Sequence, residues 1–245
     1  MQSKAFSQPF SHIAKVYDAI MEDIDYDLWM EFILKELAKR QWQVKTILDI
    51  GCGTGNSLLP FQRMGFEVAG LDASQEMLGV ARLKLPNVSF YQADFQSFEL
   101  DRRFDLIISI FDSLNNLLEP PHLLACLQQI YKHLNSGGVV MFDVNTTAGL
   151  IELWQDHRLE GWVDDIYYLW THEFDPLTKL ATVHAYCADA HEDFTERHVE
   201  RAYDIAEVKG LLSDAGFIDI SIISEPFGSD AEEDDERIWA LAKRP

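Results

Sequence analysis

Three glycines fall within five positions of the stretch LDIGCGTGNS, residues 48–57. The apolar run at its start predicts a strand, so Gly51, Gly53 and Gly55 would form the turn from that strand into a helix. A turn without side chains lets a ligand lie against peptide groups and their N–H donors. The spacing therefore predicts a nucleotide-like ligand, and a nicotinamide dinucleotide, a nucleoside triphosphate and S-adenosylmethionine are all candidates.

Two aspartates near this loop could take part in binding. Asp72 closes the next apolar run, EVAGLD, where a carboxylate can accept hydrogen bonds from both hydroxyls of a ribose. Asp49 lies inside the loop motif itself. It either orients the loop through hydrogen bonds or contacts the ligand directly, and the sequence leaves both roles open.

A scaffold of alternating strands and helices is predicted to hold these residues. Nearly continuous apolar runs indicate strands that are covered on both faces. They lie at residues 46–50, 67–72, 88–94, 104–110 and 138–144. Strands and helices that alternate at this spacing predict an α/β fold with a doubly wound, mostly parallel sheet.

The helices between these strands carry recognisable end signals. Apolar residues at helical spacing predict a helix over 25–40, and Ser74 is a good N-cap for the helix that follows it. Pro120 and Pro121 predict the start of a helix that runs to about residue 134. Gly137 and Gly138 would end that helix.

The pattern changes after residue 144. Residues 145–204 contain three β-rich runs and predict a small antiparallel β insert, with a turn at 175–179. A helix ended by Gly216 and strands at 218–224 and 237–244 would complete the main domain, which comprises 1–144 and 205–245. Only an acidic, non-helical stretch joins the last two strands, so the final strand should run antiparallel.

Composition limits the possible partners and the compartment. The formal net charge is −21, from 41 acidic and 20 basic side chains, and this potential disfavours nucleic acid and anionic membrane surfaces. No apolar run is long enough to span a bilayer or resembles a signal peptide, which predicts a cytoplasmic protein. Cys52, Cys126 and Cys187 are odd in number and widely spaced, and predict reduced, buried thiols.

The motifs taken together resemble those of class I S-adenosylmethionine-dependent methyltransferases of the small-molecule type. LDIGCGTGN has the hydrophobic-Asp-x-Gly-x-Gly-x-Gly form of that family, whereas a dinucleotide fingerprint has G-x-G-x-x-G. GLDAS, YQADF, FDLIISIFDSLNNL and LNSGGVVMFDV follow in the family's order, and an antiparallel seventh strand is also typical. The resemblance implies S-adenosylmethionine as cofactor and S-adenosylhomocysteine as product.

The resemblance also implies a set of cofactor-binding residues. In the loop and near the three strand ends that follow it, these are Gly51, Cys52, Gly53, Gly55, Asn56, Asp72, Ala73, Met77, Asp94, Phe95, Phe111 and Asp112. The segment before the core is similar to a helical lid that a Tyr-Asp pair opens in this family. On that likeness Tyr17 would reach the methionine end of the cofactor and Trp29 would line the pocket.

The reaction that the resemblance implies needs little chemistry from the protein. A sulfonium methyl group is already activated, so the protein must hold a nucleophile in line, exclude water and remove a proton where one is present. We expect no metal, because the histidines lack metal-ligand spacing. Asn116 and His172 are the catalytic candidates, with Asp112 and Asn115 as further polar groups near the transferred methyl.

The insert is expected to cover the substrate, because the chain enters it from the carboxyl ends of the strands. Its aromatic residues would form an apolar pocket wall or join the two sheets; they are Trp154, Trp162, Tyr167, Tyr168, Trp170 and Tyr186. The predicted reaction is methyl transfer to nitrogen or oxygen of a small molecule. A non-catalytic sensor of S-adenosylmethionine and a nicotinamide-dependent oxidoreductase remain alternatives, and the sequence does not determine the oligomeric state.

Overall fold

Two β-sheets organise the chain in the computed structural model, which describes residues 9–224 and 228–245. The large sheet contains β1 (Thr46–Ile50), β2 (Glu67–Asp72), β3 (Ser89–Gln92), β4 (Phe104–Ser109), β5 (Leu134–Asn145), β10 (Ile218–Ser224) and β11 (Arg237–Lys243). The small sheet contains β6 (Arg158–Val163), β7 (Ile166–Asp175), β8 (Leu180–Ala188) and β9 (Asp193–Arg201). The helices are α1 (Tyr17–Ile20), α2 (Tyr26–Lys39), α3 (Leu58–Arg63), α4 (Gln75–Lys84), α5 (Pro120–His133), α6 (Thr147–Trp154) and α7 (Ile205–Asp214).

The large sheet has the predicted topology. Its strand order is β10-β11-β5-β4-β1-β2-β3, and β1 to β5 pair in parallel. β11 lies between β5 and β10 and is antiparallel to both, which confirms the prediction for the last strand. The described residues between β10 and β11, 228–236, form no helix, so the chain returns without a crossover.

Helices cover both faces of this sheet because its strands are apolar on both sides. One face carries Leu48 and Ile107 and packs against α5 and α7. The other carries Ile47 and Leu106 and packs against α2 and α3. Adjacent residues of one strand thus enter opposite cores, and both cores hold the carboxyl ends of the strands in fixed positions.

The predicted helix starts are present, but one predicted stop is wrong. The Ser74 side chain accepts a hydrogen bond from the backbone N–H of Met77, 3.1 Å away, as an N-cap does. α5 begins at Pro120 but ends at His133, before Gly137 and Gly138. Both glycines lie inside β5, where Gly137 adopts φ +77° next to a register shift between β4 and β5. They therefore form an irregularity of the strand, not a helix cap.

The small sheet is antiparallel as predicted, with the order β6-β7-β8-β9. It contains four strands instead of the three predicted β-rich runs, because a turn with Asp164 at φ +50° divides the first run into β6 and β7. The sequence analysis also missed α6, which begins at a Thr146 side chain that accepts the N–H of Gly149. Among the described residues, no helix has the length and apolar character of a membrane span.

Candidate active site

The glycine loop leaves β1 at the carboxyl edge of the large sheet. Gly51, Gly53 and Gly55 all adopt positive φ values of +76°, +51° and +82°, which L side chains rarely adopt. The Gly51 N–H donates to the carbonyl of Leu71 at 2.7 Å and so fixes the loop to β2. A Cβ at Gly51 would lie 2.8 Å from the Ser113 Cβ, whereas one at Gly53 would meet no atom within 4 Å. The middle of the loop therefore presents bare backbone to open space.

Asp72 joins the glycine loop to the start of α4. Its Oδ2 accepts the Gly53 N–H at 2.8 Å, and its Oδ1 accepts the Ser74 N–H at 2.8 Å. Burial raises the pKa of this carboxyl, and the hydrogen bonds from Ser74 and Gly53 partly oppose that rise. Each carboxylate oxygen keeps one further lone-pair direction for a ligand hydroxyl.

Asp49 supports the glycine loop from its buried side. It is buried, and its Oδ2 accepts a hydrogen bond from the Ser57 hydroxyl at the far end of the loop. Burial raises its pKa to about 7 despite that hydrogen bond, and the charges of Asp72 and Asp143 add to the rise. Of the two roles that the sequence left open, this placement favours orienting the loop over contacting a ligand.

A cavity of about 890 Å³ lies over the loop and extends to the small sheet. This volume is near the upper end of the roughly 300–1,000 Å³ typical of small-molecule sites. Twelve residues predicted to bind the cofactor or to act in catalysis line it: Tyr17, Gly51, Gly53, Asp72, Ala73, Met77, Asp94, Phe95, Phe111, Asp112, Asn116 and His172. One cavity therefore brings together residues of the N-terminal segment, the sheet edge and the insert.

Four residues with a predicted binding role are missing from the described cavity wall. Cys52 packs its buried side chain against Gly70, where an added Cβ would lie 2.7 Å from the sulfur. Gly55 lies against α4, and a Cβ there would come within 3.2 Å of Leu85. Asn56 points away from the cavity and donates to Asp18 at 3.0 Å. The loop thus uses alternate residues for the cavity and for its own packing.

Trp29, the fourth of these residues, lies one layer behind the cavity. Its ring stacks on Phe111 with centroids 4.2 Å apart, and it also contacts Trp239 at 5.5 Å. Phe111 in turn lines the cavity. α2 packs its apolar face on the sheet, which holds Trp29 in that core instead of at the ligand. Trp29 can therefore support the wall without touching what the cavity holds.

Asn115 is a further correction. It was placed near the transferred methyl, but its side chain is fully buried in the short 3₁₀ turn Ser113–Asn116. Its amide donates to the carbonyls of Asn145 at 3.0 Å and Arg201 at 2.8 Å, and its oxygen accepts the Asn145 N–H at 3.1 Å. Asn115 therefore joins the sheet edge to β9, and only its neighbour Asn116 reaches the cavity.

The N-terminal segment is fixed to the glycine loop through Asp18. Its Oδ1 accepts hydrogen bonds from Thr54 at 2.5 Å and Asn56 at 3.0 Å, and its Oδ2 pairs with Lys84 at 2.6 Å. The adjacent Tyr17 is directed into the cavity, where burial raises the pKa of its hydroxyl. Tyr17 therefore stays protonated near neutral pH and is a hydrogen-bond donor on the cavity wall.

One face of the insert forms the opposite wall. Cross-strand pairing places His172 on β7, Val183 on β8 and His198 on β9 in one row across this face. Burial lowers the pKa of His172, so its imidazole is neutral near pH 7. Of the insert aromatics, Trp154 and Trp170 line the cavity, whereas the Trp162 side chain is 69% exposed and contacts Tyr167 on the other side.

Comparisons with known proteins agree with this geometry. Residues 47–138 match the family of methyltransferase domains. A putative methyltransferase of Geobacillus sp. (strain WCH70) is 30% identical over 247 residues, covering 96% of this chain and 99% of that protein. The crystal structure of a S-adenosylmethionine-dependent methyltransferase from Clostridium acetobutylicum ATCC 824 superimposes with a TM-score of 0.82 at 27% identity, over 95% of this chain and 97% of that one.

The chain belongs to the class I S-adenosylmethionine-dependent methyltransferases. This membership decides against a nicotinamide-dependent oxidoreductase. A third relative aligns with only part of the methyltransferase. It is the dTDP-3-amino-3,4,6-trideoxy-alpha-D-glucopyranose N,N-dimethyltransferase of Streptomyces venezuelae, which is 33% identical over 132 residues, or 53% of this chain and 56% of that protein.

The residues of the methyltransferase fit its cofactor. The space in front of Gly53 is open, and the Asp72 carboxylate stands beside it with acceptor capacity left. Asp94 and Phe95 continue the same wall at the end of β3 and offer a polar group and an aromatic ring. These are the groups that an adenosine bearing a charged amino acid requires: ribose acceptors, a ring contact and exposed peptide groups.

A polar cluster lies where the sheet edge of the methyltransferase meets its insert. Asp112 adopts φ +49°, its Oδ2 accepts the Asn145 amide at 2.7 Å, and its N–H donates to Asp143 at 3.0 Å. Arg237 pairs with Asp143 and lies 3.4 Å from Asp112. Burial raises the pKa of Asp143 to about 6, although the Arg237 charge opposes the rise. The cluster therefore holds two carboxyl groups around a single guanidinium.

Sequence reasoning missed Arg197 and Glu200 on β9, whereas the insert histidines, His198 among them, were candidates for a general base. Arg197, His198 and Glu200 all line the cavity. A signal was present, because the alternate positions 196, 198 and 200 of this strand are all polar and all buried. An antiparallel strand that faces a core normally carries apolar residues at those positions, so polar residues there indicate a site or a network.

Proposed function

We propose that the methyltransferase transfers a methyl group to a nitrogen or oxygen atom of a small molecule that lies between the sheet edge and the insert. The observation that carries this proposal is the single cavity of about 890 Å³, with the glycine loop on one wall and the small sheet on the other. Its size suits a cofactor with a metabolite-sized acceptor beside it.

S-adenosylmethionine, when bound, supplies a methyl group already activated on a sulfonium. The chain's own residues then position and enclose the reactants. Asp72 and the exposed peptide groups at Gly53 would hold the ribose and the amino-acid part of the cofactor. Tyr17, Phe10 and Ile13 cover the cavity from the N-terminal side and exclude water from the reacting atoms.

The insert wall would hold and orient the acceptor. His172 is neutral near pH 7 and can accept a hydrogen bond or a proton, and Asn116 adds an amide at the opposite wall. Trp154 and Trp170 supply apolar contact area beside these polar groups. We therefore assign residues 145–204 the role of a substrate cover, with the remainder of the chain as the cofactor-binding domain.

Similarity to an amino-sugar N,N-dimethyltransferase of Streptomyces venezuelae supports a small, polar acceptor. That similarity is 33% over about half of each chain, so it bears on the reaction class and not on the particular sugar. The net charge of −21 further favours neutral or cationic acceptors over phosphorylated ones.

The test is turnover with a panel of matched small molecules. The purified protein is incubated with S-adenosylmethionine and with amino sugars, simple amines and their hydroxyl counterparts. Release of S-adenosylhomocysteine, together with a product heavier by one methyl group, is the expected result. Tight binding of S-adenosylmethionine with no turnover on any acceptor would overturn the proposal and favour a non-catalytic sensor.

A further inference from the structure

Glu200 is a buried carboxyl group on the cavity wall, and one of its two oxygens has no hydrogen-bond partner among the described residues. It lies on β9, its side chain lines the cavity, and only 7% of the residue is exposed. Its Oε2 has no hydrogen-bond partner within residues 9–224 and 228–245. A buried polar atom without a partner costs free energy, so its retention on a cavity wall indicates a ligand that supplies the missing hydrogen.

The surroundings of Glu200 select for positive charge. The Asp112 carboxylate and the Asn145 amide lie within hydrogen-bonding reach of its side chain. Arg237 is the cation that pairs with this cluster, and both Asp112 and Asp143 already share it. With Glu200 the cluster contains three carboxyl groups and one guanidinium. A positively charged group on the cavity side would therefore be stabilised there.

The protonation of Glu200 follows from this crowding. Burial raises its pKa well above the usual range, the Asp112 charge adds to the rise, and the Arg237 charge opposes it. A second negative charge at hydrogen-bonding distance from the Asp112 carboxylate is unfavourable. Glu200 therefore keeps its proton until a positive group enters the cavity and replaces it.

We propose that Glu200 and Asp112 together bind the protonated amino group of the methyl acceptor, so that the enzyme selects amines over alcohols. This inference rests on the proposed function and narrows it to one class of acceptor. The ammonium donates hydrogen bonds to Glu200 Oε2 and to Asp112, which pair with its charge.

The same contact prepares the nitrogen for reaction. An ammonium has no free electron pair, so one N–H bond must break before the nitrogen can act as a nucleophile. That proton moves to Glu200 Oε2 and forms the carboxylic acid, while the electron pair stays on the nitrogen. Charge balances, because an ammonium and a carboxylate become a neutral amine and a neutral acid. Asp112 keeps its charge and holds the remaining N–H groups.

The experiment measures binding in the absence of turnover. S-adenosylhomocysteine fills the cofactor part of the cavity, and calorimetric titration compares glucosamine with glucose, 3-amino-3-deoxyglucose with glucose, and cyclohexylamine with cyclohexanol. The wild-type protein should bind at least one amine about 10- to 100-fold more tightly than its alcohol, from the usual strength of hydrogen bonds to charged groups. Glu200→Gln should remove that preference and leave the affinity for S-adenosylhomocysteine unchanged.

Two further variants control the result. Glu173→Gln changes an exposed glutamate that directly follows the cavity-lining His172 on β7, and it should keep the amine preference. Asp112→Asn should weaken the preference, and asparagine tolerates the left-handed backbone of that position. The inference is overturned if the wild type prefers no amine, or if Glu200→Gln keeps the preference. If the turnover assay then yields methylated alcohols, the amine preference is wrong but the proposed methyl transfer to a small molecule still holds.

Discussion

The Glu196 carboxylate on β9 accepts the backbone N–H of His12 at 2.6 Å. The same side chain accepts the N–H groups of Phe10 at 2.8 Å, Ser11 at 3.2 Å and Ile13 at 3.1 Å. Glu196 is fully buried, so one carboxylate satisfies four successive backbone donors away from water. Through this contact the insert holds the N-terminal segment over the cavity.

We predict that Glu196→Gln releases this segment. A glutamine can accept through only one oxygen, so the variant should lose about 1–3 kcal/mol of unfolding free energy, the usual cost of weakened hydrogen bonds to a charged group. Hydrogen exchange at residues 10–13 should rise well above that at β1. Glu192→Gln is the matched control, because the Glu192 side chain forms an exposed ion pair with Lys15 and its substitution should change neither measurement.

The unfolding free energy of the protein in acid should depend on the ionisation of Glu196. Burial alone would raise the pKa of Glu196, but hydrogen bonds from His198, Ile13 and His12 outweigh it and hold the pKa below its ordinary value of 4.5. A lowered folded-state pKa stabilises the fold above pH 4.5, and this stabilisation is lost as the pH falls through the folded value. The gap in unfolding free energy between wild type and Glu196→Gln should therefore be constant at neutral pH and shrink under acid. A gap independent of pH would contradict the assignment.

Gly53→Val should abolish cofactor binding at limited cost to the fold. The position has φ +51° and lines the cavity, and an added Cβ meets no protein atom within 4 Å, so the valine side chain would extend into the ligand space. Gly65→Val is a close control, since Gly65 has φ +88° and equally open surroundings in the turn before β2. Both variants should melt at lower temperature because of backbone strain. Only Gly53→Val should lose affinity for S-adenosylmethionine, and normal affinity in that variant would remove the loop from the binding site.

Asp72→Ala should weaken cofactor binding by about 1–3 kcal/mol, the usual strength of hydrogen bonds to a charged group. The variant loses the ribose acceptor and also the hydrogen bond that orients the Gly53 N–H. Asp105→Ala is the control, because Asp105 likewise accepts two backbone N–H groups, from Lys45 at 3.0 Å and Thr46 at 3.1 Å, but at the opposite edge of the sheet. Calorimetric titration should show a loss for the first variant alone.

The sequence was sufficient for the large sheet and for most of the loop edge. Strands covered on both faces appear as apolar runs that few other structures produce, and the short acidic link before β11 left room only for an antiparallel return. Most of the predicted cofactor-binding residues line one cavity because parallel strands place their carboxyl ends at one edge.

Other features depend on contacts that a linear pattern does not contain. Trp29 and Asn115 are of types common in binding sites, but their surroundings are set by β11 and β9, which lie far along the chain. Glu200 has an environment made by Asp112 and Arg237 from two other parts of the sequence. The β6–β7 turn was missed because two aspartates inside an aromatic run are a weak turn signal.

The position of β11 between β5 and β10 affects how the chain folds while it is being synthesised. Asn145 at the end of β5 pairs with Arg237 at the start of β11, so the insert and α7 are synthesised before β5 receives its second neighbour. A ribosome adds about 5–20 residues per second, which leaves that edge of β5 open for roughly 5 to 20 s. During this interval an apolar strand offers unpaired N–H and C=O groups to any other chain nearby. Nascent chains that stop before residue 237 should therefore be prone to aggregate, and the pairing of β11 with β5 closes this exposed edge.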